Sequence, residues 1–135
     1  MACARRAQLL EDADLIVPVP PYHSRLWWRR FNQSALLSQE LSKHTSTPVD
    51  CFALKRVRQT ASQVGFTAEQ RKKNMAGAFK VDGARELTLS GKRIVLVDDV
   101  ITTGATAEAC ARVLRRAKAA RVDVVVLARA VEPAL

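Results

Sequence analysis

Two adjacent carboxylates, Asp98 and Asp99, stand just before a hydroxyl- and glycine-rich run, Thr102-Thr103-Gly104-Ala105-Thr106. The β-branched run Arg93–Val97 ahead of them reads as a fully buried strand. A helix is expected after them, from about Thr106 to Ala119, with Cys110, Val113, Leu114 and Ala117 inward. The amides at a helix start point outward without intrahelical partners, and the helix dipole adds positive potential there. Gly104 permits a positive φ or the close approach of a ligand, and the three threonine hydroxyls can donate to phosphate oxygens. Carboxylates repel a phosphate, so Asp98 and Asp99 make sense where the phosphate carries a sugar. They can accept hydrogen bonds from the vicinal hydroxyls of ribose, or hold Mg²⁺ directly or through water. The segment therefore reads as a ribose 5-phosphate site, with the acid pair outside the core. Two other readings are an acidic turn that caps a helix and an acidic pair that accepts a phosphoryl group. Neither accounts for the hydroxyl-lined nest directly after the acids.

A polyphosphorylated ligand needs cations beyond that nest. The chain offers Arg25, Arg29 and Arg30 in one basic loop, and Lys55, Arg56 and Arg58 in a second that also carries Thr60 and Gln63. Guanidinium forks match phosphate oxygens bidentately. Arg71 and Asn74 fall on an expected helix, where holding a loop and touching substrate are equally good readings. Arg112, Arg115, Arg116 and Lys118 read as a solvated helix face, and His23 and His44 as surface residues. Trp27 and Trp28 among arginines could stack nucleobases, cover an apolar patch or dock a partner.

The elements that must position these residues follow from periodicity. Leu15–Val19 reads as a buried strand stopped by Pro18, Pro20 and Pro21, and Pro20–Arg30 as a loop. Asn32–Lys43 turns helical, with Leu36, Leu37 and Leu41 forming its apolar face. Val49–Leu54 is a second expected strand and Lys55–Phe66 a loop. Thr67–Met75 is a short helix capped by Thr67, Ala78–Val81 a short strand, and Asp82-Gly83 a turn. Val122–Ala128 is the last buried strand. Apolar strands alternating with helices specify an α/β domain whose central sheet is mostly parallel and flanked by helices.

At 135 residues and 48% apolar content, the chain suits a single compact domain over 1–135. No apolar run approaches the roughly 18 residues that cross a bilayer, and Met1–Asp14 lacks a secretory pattern, so a cytoplasmic location is expected. Three cysteines without a C-x-x-C pair argue against a disulfide framework or zinc ribbon, and Cys51 and Cys110 read as core thiols. The excess of 22 Lys+Arg over 13 Asp+Glu, a formal +9, attracts polyanions of any kind.

The acidic and threonine-rich segment resembles the phosphoribosyl pyrophosphate loop of type I phosphoribosyltransferases. Three further stretches narrow the resemblance to the ComF family of late-competence proteins. Val17-Pro-Val-Pro20 leads into Arg25-Leu-Trp-Trp-Arg29-Arg-Phe-Asn-Gln33. Lys55-Arg56-Val-Arg58-Gln-Thr60-Ala-Ser-Gln63 and Arg71-Lys-Lys-Asn74-Met-Ala-Gly77-Ala-Phe79 follow in the family's order. Arg30 stands where the family has glycine, and the family's N-terminal zinc-binding cysteines have no counterpart in this sequence.

The resemblance implies a type I phosphoribosyltransferase-like fold. It also implies phosphoribosyl pyrophosphate as ligand with Mg²⁺ as its companion, and transfer of the phosphoribosyl group with release of pyrophosphate. Asp98, Asp99, Thr102, Thr103, Gly104, Ala105 and Thr106 would bind the ribose phosphate. Arg25 and Arg29 would contact pyrophosphate, and Arg56, Arg58, Thr60 and Gln63 would belong to a loop that closes over substrate. Purine-salvage relatives place an acid where this chain has Thr102, so no catalytic base is assigned and the acceptor is open. The alternative is a sensor or adaptor in DNA uptake that binds the same ligand without turnover. Single-stranded nucleic acid, competence proteins and a homodimer are the other partners considered.

Overall fold

The computed structural model describes residues 10–20, 33–57, 65, 67–101 and 104–129. In chain order the elements are β1 (Leu15–Pro18), α1 (Gln33–Thr45), β2 (Leu54–Arg56), α2 (Ala68–Met75), β3 (Phe79–Val81), a 3₁₀ turn (Gly83–Arg85) and α3 (Glu86–Leu89). They are followed by β4 (Arg93–Ile101), α4 (Ala105–Arg116) and β5 (Arg121–Arg129). β4 is the middle strand of a parallel sheet of order β1-β4-β5, while β2 and β3 form a separate antiparallel pair. The expected α/β class and parallel sheet are therefore present, and β4-α4-β5 is the helical crossover that parallel neighbours require.

The sheet is apolar on both faces because both are covered. Ile94 and Leu96 of β4 turn toward a core cluster with Met75, Phe79, Cys110 and Leu114, while Val95 and Val97 pack with Ile16 and Leu10 on the other face. All four β4 side chains are fully buried, as a strand sandwiched between layers demands. Pro18 fits within β1 because Ile16 turns its N–H and C=O to Pro48 and Asp50, away from β4. Pro18, two residues on, turns its missing donor to that same outer side. At the start of β4 the Arg93 guanidinium grips the Asp14 carboxylate at 3.2 and 3.3 Å. That side-chain bond, seconded by the Arg93 amide, holds the Asp14 carboxyl below the usual carboxylate range.

Several expected boundaries move, each for a physical reason. Within Val49–Leu54 only Val49 bridges to the sheet, opposite Ile16. The Asp50 carboxylate accepts from the Phe52 amide at 3.0 Å and turns the chain, which leaves Cys51 half-buried in a turn and not in a core strand. Lys55 and Arg56, expected in a loop, pair with Lys80 and Phe79 in the β2–β3 ladder. In α1 the buried residues are Ser34, Ala35 and Ser38, and Leu36 is 53% exposed. Small side chains let the helix approach the sheet closely, and the Ser38 hydroxyl donates to the Ser34 carbonyl at 2.7 Å. Residues 121–126 of β5 are only half-buried, since among the described residues the strand pairs on one side alone, and Val124 is open to solvent.

Two helix ends follow from their caps. Thr67 and Gln70 form a reciprocal capping box at the start of α2, as expected for Thr67. α4 ends at Arg116, earlier than expected, because the chain reverses through Lys118 at φ 69°. The Lys118 amide donates to Arg115 and the Ala119 amide to Leu114, which satisfies the last carbonyls of the helix. A lysine in this left-handed position carries strain that glycine does not. Lys118→Gly is therefore expected to raise stability by about 0.5–1 kcal/mol in denaturant unfolding. A loss of stability would show that the reversal is not strained.

Candidate functional site

The site lies where β4 gives way to α4. β4 does not stop at Val97, as periodicity suggested, but continues to Ile101. Its ladder runs on with Asp98 opposite Val126, Val100 opposite Ala128 and Ile101 opposite Arg129. The apolar neighbour supplies pairing partners past the end of the β-branched run, and pairing outweighs the weak strand preference of aspartate. Both acids thus belong to a strand end, held by backbone hydrogen bonds.

Asp98 shares the face of β4 that carries Ile94 and Leu96 and is 9% exposed. The expectation that the acids stand outside the core is therefore corrected for Asp98: alternation along the extended strand turns it inward, toward α4. Within α4 the Cys110 thiol is completely buried. Burial pushes that thiol far above its ordinary range, the nearby Asp98 charge raises it further, and the Arg56 charge opposes the shift. Burial, then Asp50, likewise pushes the Cys51 thiol up. Neither cysteine offers a thiolate nucleophile near neutrality.

Gly104 occupies the cap of α4 at φ 82° and ψ 4°, a left-handed conformation suited to glycine. The first helical bond runs from the Glu108 amide to the Gly104 carbonyl at 2.8 Å, so the helix itself supplies no acceptor to the amides of Thr106 and Ala107. Ala105 is buried and Thr106 half-exposed. This is the geometry of an anion-binding helix start. Thr102 and Thr103 lie outside the described residues, as do Arg25, Arg29, Arg58, Thr60 and Gln63. Among the described residues no group of three or more His, Cys, Asp or Glu side chains could form a metal cage.

Of the basic residues singled out from sequence, Arg56 and Arg71 are brought toward this region. Arg56 sits on β2 with its guanidinium 5.3 Å from the centroid of the Phe79 ring. Arg71, on α2, is only 4% exposed. Its burial was legible in outline, since Met75 lies four residues on and marks the inward face of that helix. The Lys72 ammonium meets the Glu108 carboxylate at 3.3 Å, which sets α2 beside the first turn of α4. Arg112, Arg115, Arg116 and Lys118 are exposed, as a solvated face should be, and Arg112 pairs with Glu108 at 3.2 Å.

Comparison with known proteins agrees with this architecture. Residues 32–134 match the family model described as a phosphoribosyl transferase domain. The chain is 39% identical over 127 residues to Competence protein F of Haemophilus influenzae, covering 94% of this chain and 55% of that protein. It is 44% identical over 126 residues to DNA utilization protein YhgH of Escherichia coli, covering 93% of this chain and 54% of that one. The chain therefore spans about half the length of both relatives. Among solved structures, the purine phosphoribosyltransferase of Pyrococcus horikoshii superposes with a TM-score of 0.56 at 20% identity, over 95% of this chain and 71% of that one. The glutamine phosphoribosylpyrophosphate amidotransferase of B. subtilis superposes with a TM-score of 0.55 at 22% identity, over 90% of this chain and 25% of that one. At such identities the superpositions speak for the fold. With the strand-to-helix junction in the position that its own residues demand, this chain belongs to the phosphoribosyl transferase domain family and counts Competence protein F and YhgH among its relatives.

Proposed function

We propose that this chain binds phosphoribosyl pyrophosphate at the β4–α4 junction and transfers the phosphoribosyl group to an acceptor, releasing pyrophosphate. The observation that carries the reading is the Gly104-led helix start set directly behind an acidic strand end. In it the amides of Thr106 and Ala107 at the start of α4 receive the 5-phosphate, with Thr102, Thr103 and Thr106 adding hydroxyl donors. Asp99 accepts from the ribose hydroxyls, and Asp98 acts from beneath. Mg²⁺ suits such a donor set, because it takes one or two carboxylates and keeps phosphate and water oxygens. Asp98 and Asp99 would be the carboxylates that hold it, directly or through water, and it would supply positive charge to the pyrophosphate.

In the transfer the anomeric carbon loses its bond to a pyrophosphate oxygen and gains one to the acceptor, whose proton leaves to solvent or to pyrophosphate. The transition state is oxocarbenium-like, so positioning and charge neutralisation carry most of the catalysis. Arg25 and Arg29 are assigned to the pyrophosphate side, and Arg58 to the loop over the substrate. Among the described residues no helix is long and apolar enough to cross a membrane.

A second reading draws on the relatives named for competence and DNA utilization. The domain would then sense the ligand without turnover, as an adaptor in DNA uptake, because fold and site alone do not fix activity. A pyrophosphate-release assay over a panel of bases and amines separates the two. Release with any acceptor supports transfer, and binding without release across the panel supports the sensor.

Calorimetry with phosphoribosyl pyrophosphate and Mg²⁺ tests the site itself. Asp99→Asn is expected to weaken binding about 10–100-fold by removing charged hydrogen bonds to ribose. Gly104→Val is expected to abolish it, since a branched side chain at that φ obstructs the helix mouth. Unchanged affinity in either variant would remove that residue from the assigned site.

A further inference from the structure

Among the described residues, Arg71 and Asp98 are the two charged side chains that are buried, at 4% and 9% exposure. They are of opposite sign, and each comes from an element lining one layer. Arg71 shares its helix face with Met75, which packs in the cluster containing Phe79, Leu96, Ala105 and Cys110. Asp98 follows Leu96 on the face of β4 that points into the same cluster. The Lys72–Glu108 pair sets the middle of α2 beside the first turn of α4. Arg56 enters from β2, backed by the ring of Phe79, which is itself buried in that cluster. Asp98 and Arg56 are both near enough to the buried Cys110 thiol for their charges to act on it, in opposite directions.

A carboxylate withdrawn from water is tolerated only beside compensating cations. We propose that Arg71, together with Arg56, is a positioning residue for Asp98. The two guanidiniums, reaching in from α2 and β2, hold the buried carboxylate and so fix the end of β4 from which the phosphate loop departs. The role of that strand end in ligand binding rests on the function proposed above; the ion cluster does not. One consequence is that Asp98 and Asp99 have different duties. Asp98 is held from within and orients the strand, which leaves Asp99 to meet the sugar.

A double-mutant cycle on the full chain tests this by denaturant unfolding. Arg71→Met and Asp98→Asn are each expected to lower the unfolding midpoint, because each strands the other's charge. The double variant should lose far less than the sum, with a coupling of at least about tenfold in the unfolding equilibrium constant. Additive losses would overturn the proposal. Should Arg71→Met fail to fold, adding Asp98→Asn is expected to restore a cooperative transition, and failure to do so would overturn it as well. Arg71→Lys, which keeps the charge, should recover most of the midpoint lost in Arg71→Met. Equal losses would mean that Arg71 acts by bulk alone, against the proposal. Arg56→Met crossed with Asp98→Asn should show the same non-additivity, and additivity there would remove Arg56.

Calorimetry of the unaltered chain with phosphoribosyl pyrophosphate and Mg²⁺ keeps the two readings apart. Coupling without binding upholds the ion cluster and removes only the ligand. Binding with additive losses removes the cluster and leaves the ligand in place.

Discussion

β4 is hydrogen-bonded to β1 along one edge and to β5 along the other, and it is covered on both faces. A strand confined in this way has little freedom in register or rotation, since a shift of one residue would exchange its two sets of buried side chains. Ile94 and Leu96 belong to the α4 side, Val95 and Val97 to the other. Whatever follows Val97 inherits that alternation. Asp98 therefore has to enter the α4 layer, and the strand end that precedes α4 is fixed in place. The chemistry of the junction is built on a strand end that cannot wander.

That confinement has an electrostatic cost, and the surrounding elements are arranged to offset it. A buried carboxylate in an apolar layer would be strongly unfavourable alone. The layer also holds Arg71 and, partly exposed, Arg56, drawn from two elements on either side of one connecting segment. Arg56 loses less by its partial burial because the Phe79 ring faces its guanidinium. Beyond the acids, Gly104 caps α4 in a conformation that other residues adopt only with strain, and the amides of Thr106 and Ala107 have no acceptor within the helix. Negative charge inside the fold and positive potential at its rim thus sit within one strand–turn–helix unit. Such an arrangement suits a ligand that is anionic at one end and hydroxylated at the other.

Much of this was legible from residue types. The run Arg93–Val97, the glycine among threonines and the helix behind it are local signals, and local signals survive folding. The capping residue Thr67 and the parallel α/β class were legible for the same reason. What was not legible depends on partners distant in sequence. β4 outruns its apolar stretch because β5 pairs with it to the end. Arg56 left its expected loop because Phe79 is its ladder partner. α1 presents Ser34 and Ser38 to the core because a hydroxyl can bond within its own helix, which hydropathy does not register. The inward turn of Asp98 needed the strand length first. Thr102, Thr103, Arg25, Arg29, Arg58, Thr60 and Gln63 fall outside the described residues, so their part in the site rests on sequence.

Membership of the phosphoribosyl transferase domain family is what makes a ribose phosphate the ligand proposed for this junction. The central claim is that the amides opening α4 take up the 5-phosphate of a ribose. Titration of the ¹⁵N-labelled chain with ribose 5-phosphate, followed by amide chemical shifts, addresses that claim without requiring turnover or an acceptor. The largest saturable shifts are expected on the amides of Gly104, Thr106 and Ala107. Shifts confined to other surfaces, or none there at saturating ligand, would contradict it.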